Sequence, residues 1–401
     1  MYGRGRPFTA YVGDKLTELA CCLFAIVHPV IGRRRRVFMV AALFSICLIV
    51  LLRGVVKMNP IACTYLDPCD DETIVNFVGN WTTLPLEVCP LCKQRQETLM
   101  KIDYTVTSLD QVERQLTWLQ PGGRYKPTNC ISRQRVAIVI PYRNRSNHLR
   151  VFIKYIHQFL RDQSAHYGIY VVEQSEAGNF NRGSLLNIGF VNAFKEENYD
   201  CFIFHDVDYL PLDLRNVYAC SDNPKHMSVI VDTFDDKLPY PEFFGGVAAL
   251  TTKQFQRING FPNRYWGWGG EDDDVLERIK WVGYSKILRH LPQNARYTML
   301  THSRDSGNPV NPKRYHLLIN AHKKAKLDGL NSLKYTLKIV QKKKLYTWIY
   351  FPPCLVRLHH ESYTFYNWYR VVFKLPASGS RKTDAEYTNH TQRKILITQQ
   401  R

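Results

Sequence analysis

The 401 residues are 45% hydrophobic and 13% aromatic, which excludes a chain that is disordered throughout and allows one large folded domain or two ordinary ones. The formal charge of +19 raises the question of a nucleic-acid partner, but much of the excess gathers in short blocks at 33–36, 323–326 and 342–344. Solvated faces and membrane flanks account for such blocks, so no nucleic acid is expected.

In chain order, the first expected element is a membrane anchor. Residues 37–52 (VFMVAALFSICLIVLL) carry no formal charge, and Gly54, Val55 and Val56 extend the run past Arg53, whose side chain can snorkel. The span is short, as suits the thinner membranes of the early secretory pathway. Four arginines at 33–36 put its N-terminal side in the cytoplasm. Residues 1–36 are thus expected as a cytoplasmic tail, 37–56 as a single transmembrane helix, and the remainder as luminal. A cleaved signal peptide fits less well, because no small-residue cleavage site follows the run. An earlier run at 19–31 is interrupted by His28 and Pro29 and reads as interfacial or loosely structured.

Eight of the eleven cysteines follow the anchor, where an oxidising lumen would pair some of them. Cys89-Pro-Leu-Cys92 has the spacing of a redox or zinc half-site, but no second such pair follows, which favours a structural disulfide. Asn80-Trp-Thr and Asn389-His-Thr are glycosylation sequons that fit a luminal location. Residues 57–88, with Pro60, Pro68, Pro85 and little periodicity, read as a luminal stem. A globular domain is expected over 89–352, followed by an extension of unknown role over 353–401.

Inside that domain, 135–141 (RVAIVIP) is a continuous apolar run rich in β-branched residues, expected as a strand buried on both faces. Residues 148–160 have helical apolar spacing, 168–172 (GIYVV) and 201–205 (CFIFH) read as strands, and 185–194 as a helix. Such alternation predicts an α/β fold with a mostly parallel central sheet, binding its ligand at the carboxyl ends of the strands. Asp206-Val207-Asp208 directly follows the third strand. Carboxylates two residues apart there can share a divalent ion such as Mg²⁺ or Mn²⁺ and the diphosphate it neutralises, although a turn-capping pair is the plainer alternative.

The string at 266–274 (WGWGGEDDD) sets four consecutive acids behind two tryptophans and three glycines. An acidic helix start is the simple reading. Mutual repulsion should also spread the acids' pKa values, tryptophan faces pack on sugars, and a carboxylate there could take a proton from an acceptor hydroxyl.

With Pro141-Tyr-Arg143-Asn-Arg145, Phe180-Asn-Arg182, Phe244-Gly-Gly246 and Met299-Leu-Thr-His302-Ser-Arg-Asp305, these motifs stand in the order and spacing of the β-1,4-galactosyltransferase family. This is glycosyltransferase family 7, which includes the β-1,4-N-acetylgalactosaminyltransferases. The chain resembles it over about 89–347, and the 266–274 string is the most specific part.

The resemblance implies a GT-A-type nucleotide-sugar-binding fold in a Golgi-resident, single-pass type II enzyme, with Mn²⁺ held by Asp208, Met299 and His302. Without it, Met299 would be read as core and His302 as a satisfied polar residue. It implies donor contacts from Pro141, Arg143, Arg145, Phe180, Arg182, Asp206, Val207 and Trp268, which disfavours a glycan at the third sequon, Asn144. It places the acceptor against Gly270, Glu271, Asp272, Arg314, Tyr315 and Leu318. Asp272 is then the expected general base, with Glu271 and Asp273 completing the catalytic carboxylates. Trp268 would lie on a small mobile loop, and a longer loop over 300–320 would close on bound donor. Cys89 is expected to pair with Cys130, and Cys201 with Cys220.

Two departures matter. Phe243 stands where galactose-specific members carry tyrosine, which leaves UDP-galactose and UDP-GalNAc both open as donor, and Cys92 has no obvious family partner. Besides transfer to GlcNAc-terminated glycans, two readings stay open: another acceptor such as a xylosyl core or glucosylceramide, and a membrane-anchored lectin without turnover.

Overall fold

The computed structural model describes residues 61–75, 86–92, 98–176, 178–302, 307–337 and 339–351. The expected tail, the anchor over 37–56, the apolar run at 19–31, Asn80, Asn389 and the extension over 353–401 lie outside them. Among the described residues no helix is long and apolar enough to cross a membrane.

The strands in chain order are β1 (Ala62–Leu66), β2 (Arg135–Tyr142), β3 (His166–Gln174), β4 (Cys201–His205), β5 (Tyr209–Pro211), β6 (Lys225–His226), β7 (Ile230–Val231), β8 (Val247–Thr251), β9 (Lys286–His290), β10 (Arg296–Met299), β11 (Ile339–Lys342) and β12 (Thr347–Phe351). The main sheet runs β1-β9-β6-β8-β4-β2-β3-β12-β11, and β5-β10-β7 form a smaller one. Pairing is parallel along β4-β2-β3-β12 and on both sides of β9, and antiparallel where β8 and β11 join. The three expected strands and two expected helices are all present, β4 with the expected bounds and the others somewhat longer than the sequence indicated.

The continuous apolar run of β2 is explained by the two layers it separates. Val136, Ile138 and Ile140 pack with the helix Ser146–Asp162, through Leu149, Phe152, Ile153, Ile156 and Phe159, while Ala137 and Val139 pack with Leu185, Leu186 and Phe190 of the helix Arg182–Glu196. Successive strand side chains alternate faces, so a strand covered on both sides shows no polar alternation. Each fully buried aliphatic or aromatic side chain there contributes about 1.5–3 kcal/mol.

The expected stem is corrected by β1. It pairs in parallel with β9 from Ala62↔Lys286 to Leu66↔His290, so the folded body includes residues 62–66 of the expected stem. Beyond it the buried Asp71 carboxylate accepts from Lys225 Nζ at 2.9 Å and lies 3.6 Å from His290 Nε2, with all three side chains inaccessible to solvent. A disulfide between Cys69 and Cys92 staples the segment and supplies the partner that Cys92 lacked. The pairs Cys89–Cys130 and Cys201–Cys220 form as expected. The first strand escaped notice because its residues are exposed or half-buried, as befits an edge, and no apolar stripe marks it.

Candidate active site

Strand β4 delivers the chain to the carboxyl edge of the sheet, and the following backbone is pinned there by Asp206 N–H donating to the Gly246 carbonyl at 3.2 Å. Arg182, the first residue of its helix, points into the same space. Its Nε donates to Asp206 Oδ1 at 2.7 Å and its Nη1 lies 3.6 Å from Glu271 Oε1. One guanidinium therefore joins the strand-end acids to the acidic helix Glu271–Trp281. Burial pushes the Asp206 carboxyl up to about 6, opposed by Arg182. Val207 between the acids turns into the core, and Pro141 lies buried in β2.

Asp208 meets His302 and Arg145: its Oδ2 is 3.0 Å from His302 Nε2 and 3.9 Å from Arg145 Nη1. Met299 stands alongside on β10, opposite Tyr209, and the next residue, Leu300, donates its N–H to the Asp208 carbonyl at 2.8 Å. Among the described residues no three His, Cys, Asp or Glu side chains are grouped to bind a metal, and the Met299 thioether accepts from Thr233 Oγ1 at 3.7 Å. The separation of Asp208 and His302 suits a shared ion, since adjacent ligands of an octahedral ion with bonds near 2.1 Å lie about 3 Å apart. A carboxylate with an imidazole suits Mn²⁺, and the thioether is the softer member of the set.

The four acids behind Gly270 have separated into distinct environments. Asp274 is fully buried and neutralised, with Arg278 Nε at 2.7 Å, the Tyr265 hydroxyl at 2.9 Å and Arg264 Nη2 at 3.3 Å. Asp273 accepts from the Tyr240 hydroxyl at 2.6 Å. Burial, and then the Asp272 charge, hold both Glu271 and Asp273 above the usual carboxylate range, Arg182 opposing at Glu271 and the Tyr240 hydroxyl at Asp273. Asp272 Oδ1 accepts from the Asp273 N–H, while its Oδ2 accepts no hydrogen bond among the described residues. That oxygen faces Gly245, where a Cβ would stand 2.5 Å from it and 2.6 Å from Phe243 Cζ, so the Phe243 ring and the Asp272 carboxylate flank one glycine.

The approach to these acids needs glycine. Gly270 caps the helix at φ +94°, and a Cβ there would come within 2.9 Å of the Tyr265 ring; at Gly267, φ +90°, it would come within 2.5 Å of the Pro309 carbonyl. Trp268 is therefore held by backbone, its N–H donating to Pro309 and its carbonyl accepting from Asn311, while much of its side chain stays exposed. The shorter loop is thus fastened to the longer one. In the latter a helix, Arg314–Ile319, sets Arg314 against Gly269 and Gly270, places the Arg314 guanidinium 4.5 Å from the Tyr315 ring and buries Leu318. Phe180 joins both loops, donating to the Gly307 carbonyl and accepting from Gly267, with the Arg143 guanidinium 5.0 Å from its ring.

Arg182 thus brings Asp206 and Glu271 together, and Asp208 meets Arg145 and His302, whereas Val207 and Pro141 are buried. Tyr240, His226, Ser228 and Arg289, which hold the site from behind, carry no sequence signal, because single polar residues in short strands and connecting segments form no motif.

The profile described as the N-terminal region of glycosyl transferase group 7 matches residues 89–221, and that described as the N-terminal domain of galactosyltransferase matches 225–303. Mouse beta-1,4-galactosyltransferase 1 is 45% identical over 272 residues, covering 67% of this chain and 68% of the mouse protein. The human enzyme of that name is 44% identical over 292 residues, 73% of each chain. Human beta-1,4-galactosyltransferase 4 is 44% identical over 259 residues, 65% of this chain and 74% of its own. Among solved structures, a mutant of Drosophila beta-1,4-galactosyltransferase 7 in complex with manganese, UDP-Gal and xylobiose aligns at TM-score 0.46 and 28% identity, over 54% of this chain and 92% of that one. The chain belongs to the β-1,4-galactosyltransferase family.

Proposed function

We propose that this enzyme moves galactose, with GalNAc as the competing donor sugar, from UDP to the 4-hydroxyl of a terminal GlcNAc, inverting the anomeric centre to give a β-1,4 linkage. The observation that carries the reading is the Arg182 bridge, 2.7 Å to Asp206 and 3.6 Å to Glu271, which joins the strand-end acids to the carboxylates of the acidic helix. Donor and acceptor groups held on either side of it would be in reach of one another.

Asp272 acts as the general base, because its Oδ2 is open beside Phe243 and Gly245, whereas Asp273 is engaged by Tyr240 and Asp274 by two arginines. The proton leaves the acceptor 4-hydroxyl for Asp272 as that oxygen bonds to the sugar's anomeric carbon and the bond to UDP breaks. Arg145 and Arg182 bring positive charge to the departing diphosphate, and Glu271, Arg314, Tyr315 and Leu318 orient the acceptor. Mn²⁺ held by Asp208, Met299 and His302 would supply further positive charge to the leaving group. The Trp268 loop, fastened to 309–311, shields the donor from water.

The arginines at 33–36 and the apolar run over 37–56 support a type II Golgi membrane protein with its catalytic domain in the lumen, and three disulfides fit an oxidising compartment. The test is a panel of UDP-sugars and acceptors given to the detergent-solubilised full chain. Transfer should be best from a UDP-hexose to GlcNAc, cease in EDTA and return better with Mn²⁺ than with Mg²⁺. Sugar binding without transfer from any donor would instead identify a lectin, and preference for a xyloside or glucosylceramide would reassign the acceptor.

A further inference from the structure

The segment that carries Phe243 and Gly245 runs between β7 and β8 without a strand partner of its own. Its shape is imposed from behind by buried polar side chains. The Gly245 carbonyl accepts from His226 Nε2 at 2.9 Å and from Ser228 Oγ at 3.1 Å, and the Phe243 carbonyl accepts from Arg289 Nη2 at 2.8 Å. The Phe243 ring then stands edge-on to His226, Phe234 and Tyr240, with centroids 5.5, 6.2 and 5.4 Å away.

Arg289 is the unusual member of this group. It sits on β9 directly opposite Tyr65 of β1, and it is 1% exposed. Among the described residues no carboxylate lies within ion-pair distance of it. Its other hydrogen-bond partner there is the Tyr65 hydroxyl, 3.4 Å from Nη1, and its Nε has none. A guanidinium buried without a counter-charge is costly, and satisfying one carbonyl does not require a charge. What the planar, rigid fork adds is a fixed direction for the bond it donates. That bond ends on the carbonyl of the residue whose ring, with the Asp272 carboxylate, flanks Gly245.

We infer that Arg289 is a positioning residue for donor selection: by fixing the Phe243 carbonyl from the sheet side, it sets how far the Phe243 ring projects towards the substituent on C2 of the donor sugar. The inference rests on the proposed function and deepens it by taking Phe243, whose ring flanks Gly245 with the Asp272 carboxylate, as the side chain that borders that substituent. A ring held forward crowds an acetamido group more than a hydroxyl. Loosening its carbonyl lets it retreat, which favours UDP-GalNAc and at the same time disturbs the ring's contact beside Asp272. Because β1 supplies Tyr65, the strand nearest the membrane-proximal end of the described body also borders the residue that sets this position.

Arg289→Met and Arg289→Lys in the full-length enzyme, with Phe243→Leu and the Phe243→Leu/Arg289→Met double variant, test this. Four readouts apply: kcat and KM for UDP-galactose and UDP-GalNAc with one acceptor, inhibition by UDP, and thermal stability. Arg289→Met should shift the ratio of kcat/KM about fivefold towards UDP-GalNAc, a size typical of steric discrimination. Inhibition by UDP should stay within about twofold of the parent's. Arg289→Lys, which keeps a charge but not the fork, should shift the ratio about twofold in the same direction. The double variant should shift the ratio no further than Phe243→Leu alone, since both changes act through one ring.

A merely structural Arg289 would lower stability and reduce both donors equally, and an unchanged ratio in Arg289→Met overturns the inference. Should that variant not fold, an unchanged ratio in Arg289→Lys overturns it equally. If Phe243→Leu itself leaves the ratio unchanged, Phe243 does not border the donor, and the reading beneath the inference fails first.

Discussion

Two buried acid clusters in this molecule have opposite electrostatic designs. Asp71 meets Lys225 and His290; burial alone would raise its pKa, but the His290 and Lys225 contacts hold it below the usual carboxylate range. Glu271, Asp272 and Asp273 instead face one another, and burial with like charge drives Glu271 and Asp273 upward. Asp274, one residue further along, is like Asp71 in being fully buried against cations, here Arg278 and Arg264. The lesson is that a carboxylate neutralised by a cation holds the fold together, whereas carboxylates left to repel each other at a cleft hold a proton affinity useful to chemistry.

The largest expected effect separates members of the second cluster. Asp272→Asn should lower kcat by about 10²–10⁴, the usual worth of a general base, while leaving thermal stability near that of the parent. Asp273→Asn should cost about tenfold or less, because the Tyr240 hydroxyl already occupies that side chain. Equal losses would show that the two acids share the role, and the comparison would then apply to the cluster rather than to Asp272.

The first cluster should respond in the opposite currency. Asp71→Ala leaves Lys225 buried without its partner and should destabilise by about 3–5 kcal/mol. Its kcat, measured on folded protein at a permissive temperature, should be unchanged, and denaturant unfolding beside the assay reads both. A large kcat loss with intact stability would contradict the assignment.

A smaller effect follows from pH. Burial first, then Lys225, lowers His290 to about 4, against about 6.5 for an unfolded histidine. Between those values the unfolded chain binds the extra proton, so stability is fully present above about pH 6.5 and falls as the pH drops towards 4. His290 alone should remove on the order of 1–2 kcal/mol at pH 5, and the fully buried His157 and His205, each held near 4 chiefly by burial, act in the same direction. Asp71 keeps its contribution until the pH falls below about 4, the unfolded carboxylate value. Over the same range the raised pKa values of Asp206, Glu271 and Asp273 act in the opposite direction, so the His290 contribution is read by comparing the change in unfolding midpoint from pH 7.5 to 5 in the parent and in His290→Gln. The parent should lose more than the variant, and an equal change in both would contradict it.

Legibility in the sequence followed the same division. The parallel core could be read because β2, β3 and β4 are short apolar runs separated by helical spacing, a local signal. The 266–274 string could be read as a site because acids, glycines and tryptophans are rarely set together without a reason. Which acid does what could not be read. Consecutive helical residues point about a quarter-turn apart, and their environments come from Tyr240, Arg264, Tyr265 and Arg278, on other segments or a turn further on. The bond between Asp71 and Lys225 spans 154 residues and the register of β1 on β9 spans more than 200, and neither leaves a local pattern. For the same reason neither the strand within the expected stem nor the Cys69–Cys92 pair is legible in the sequence.

The most direct test of the division between nucleotide-side and acceptor-side acids is calorimetric titration of UDP in Mn²⁺ into the parent, Asp208→Ala and Asp272→Asn proteins. Asp208→Ala should lose measurable UDP binding, and Asp272→Asn should bind UDP within about threefold of the parent while failing to turn over. Loss of UDP binding in Asp272→Asn, or its retention in Asp208→Ala, would contradict the account.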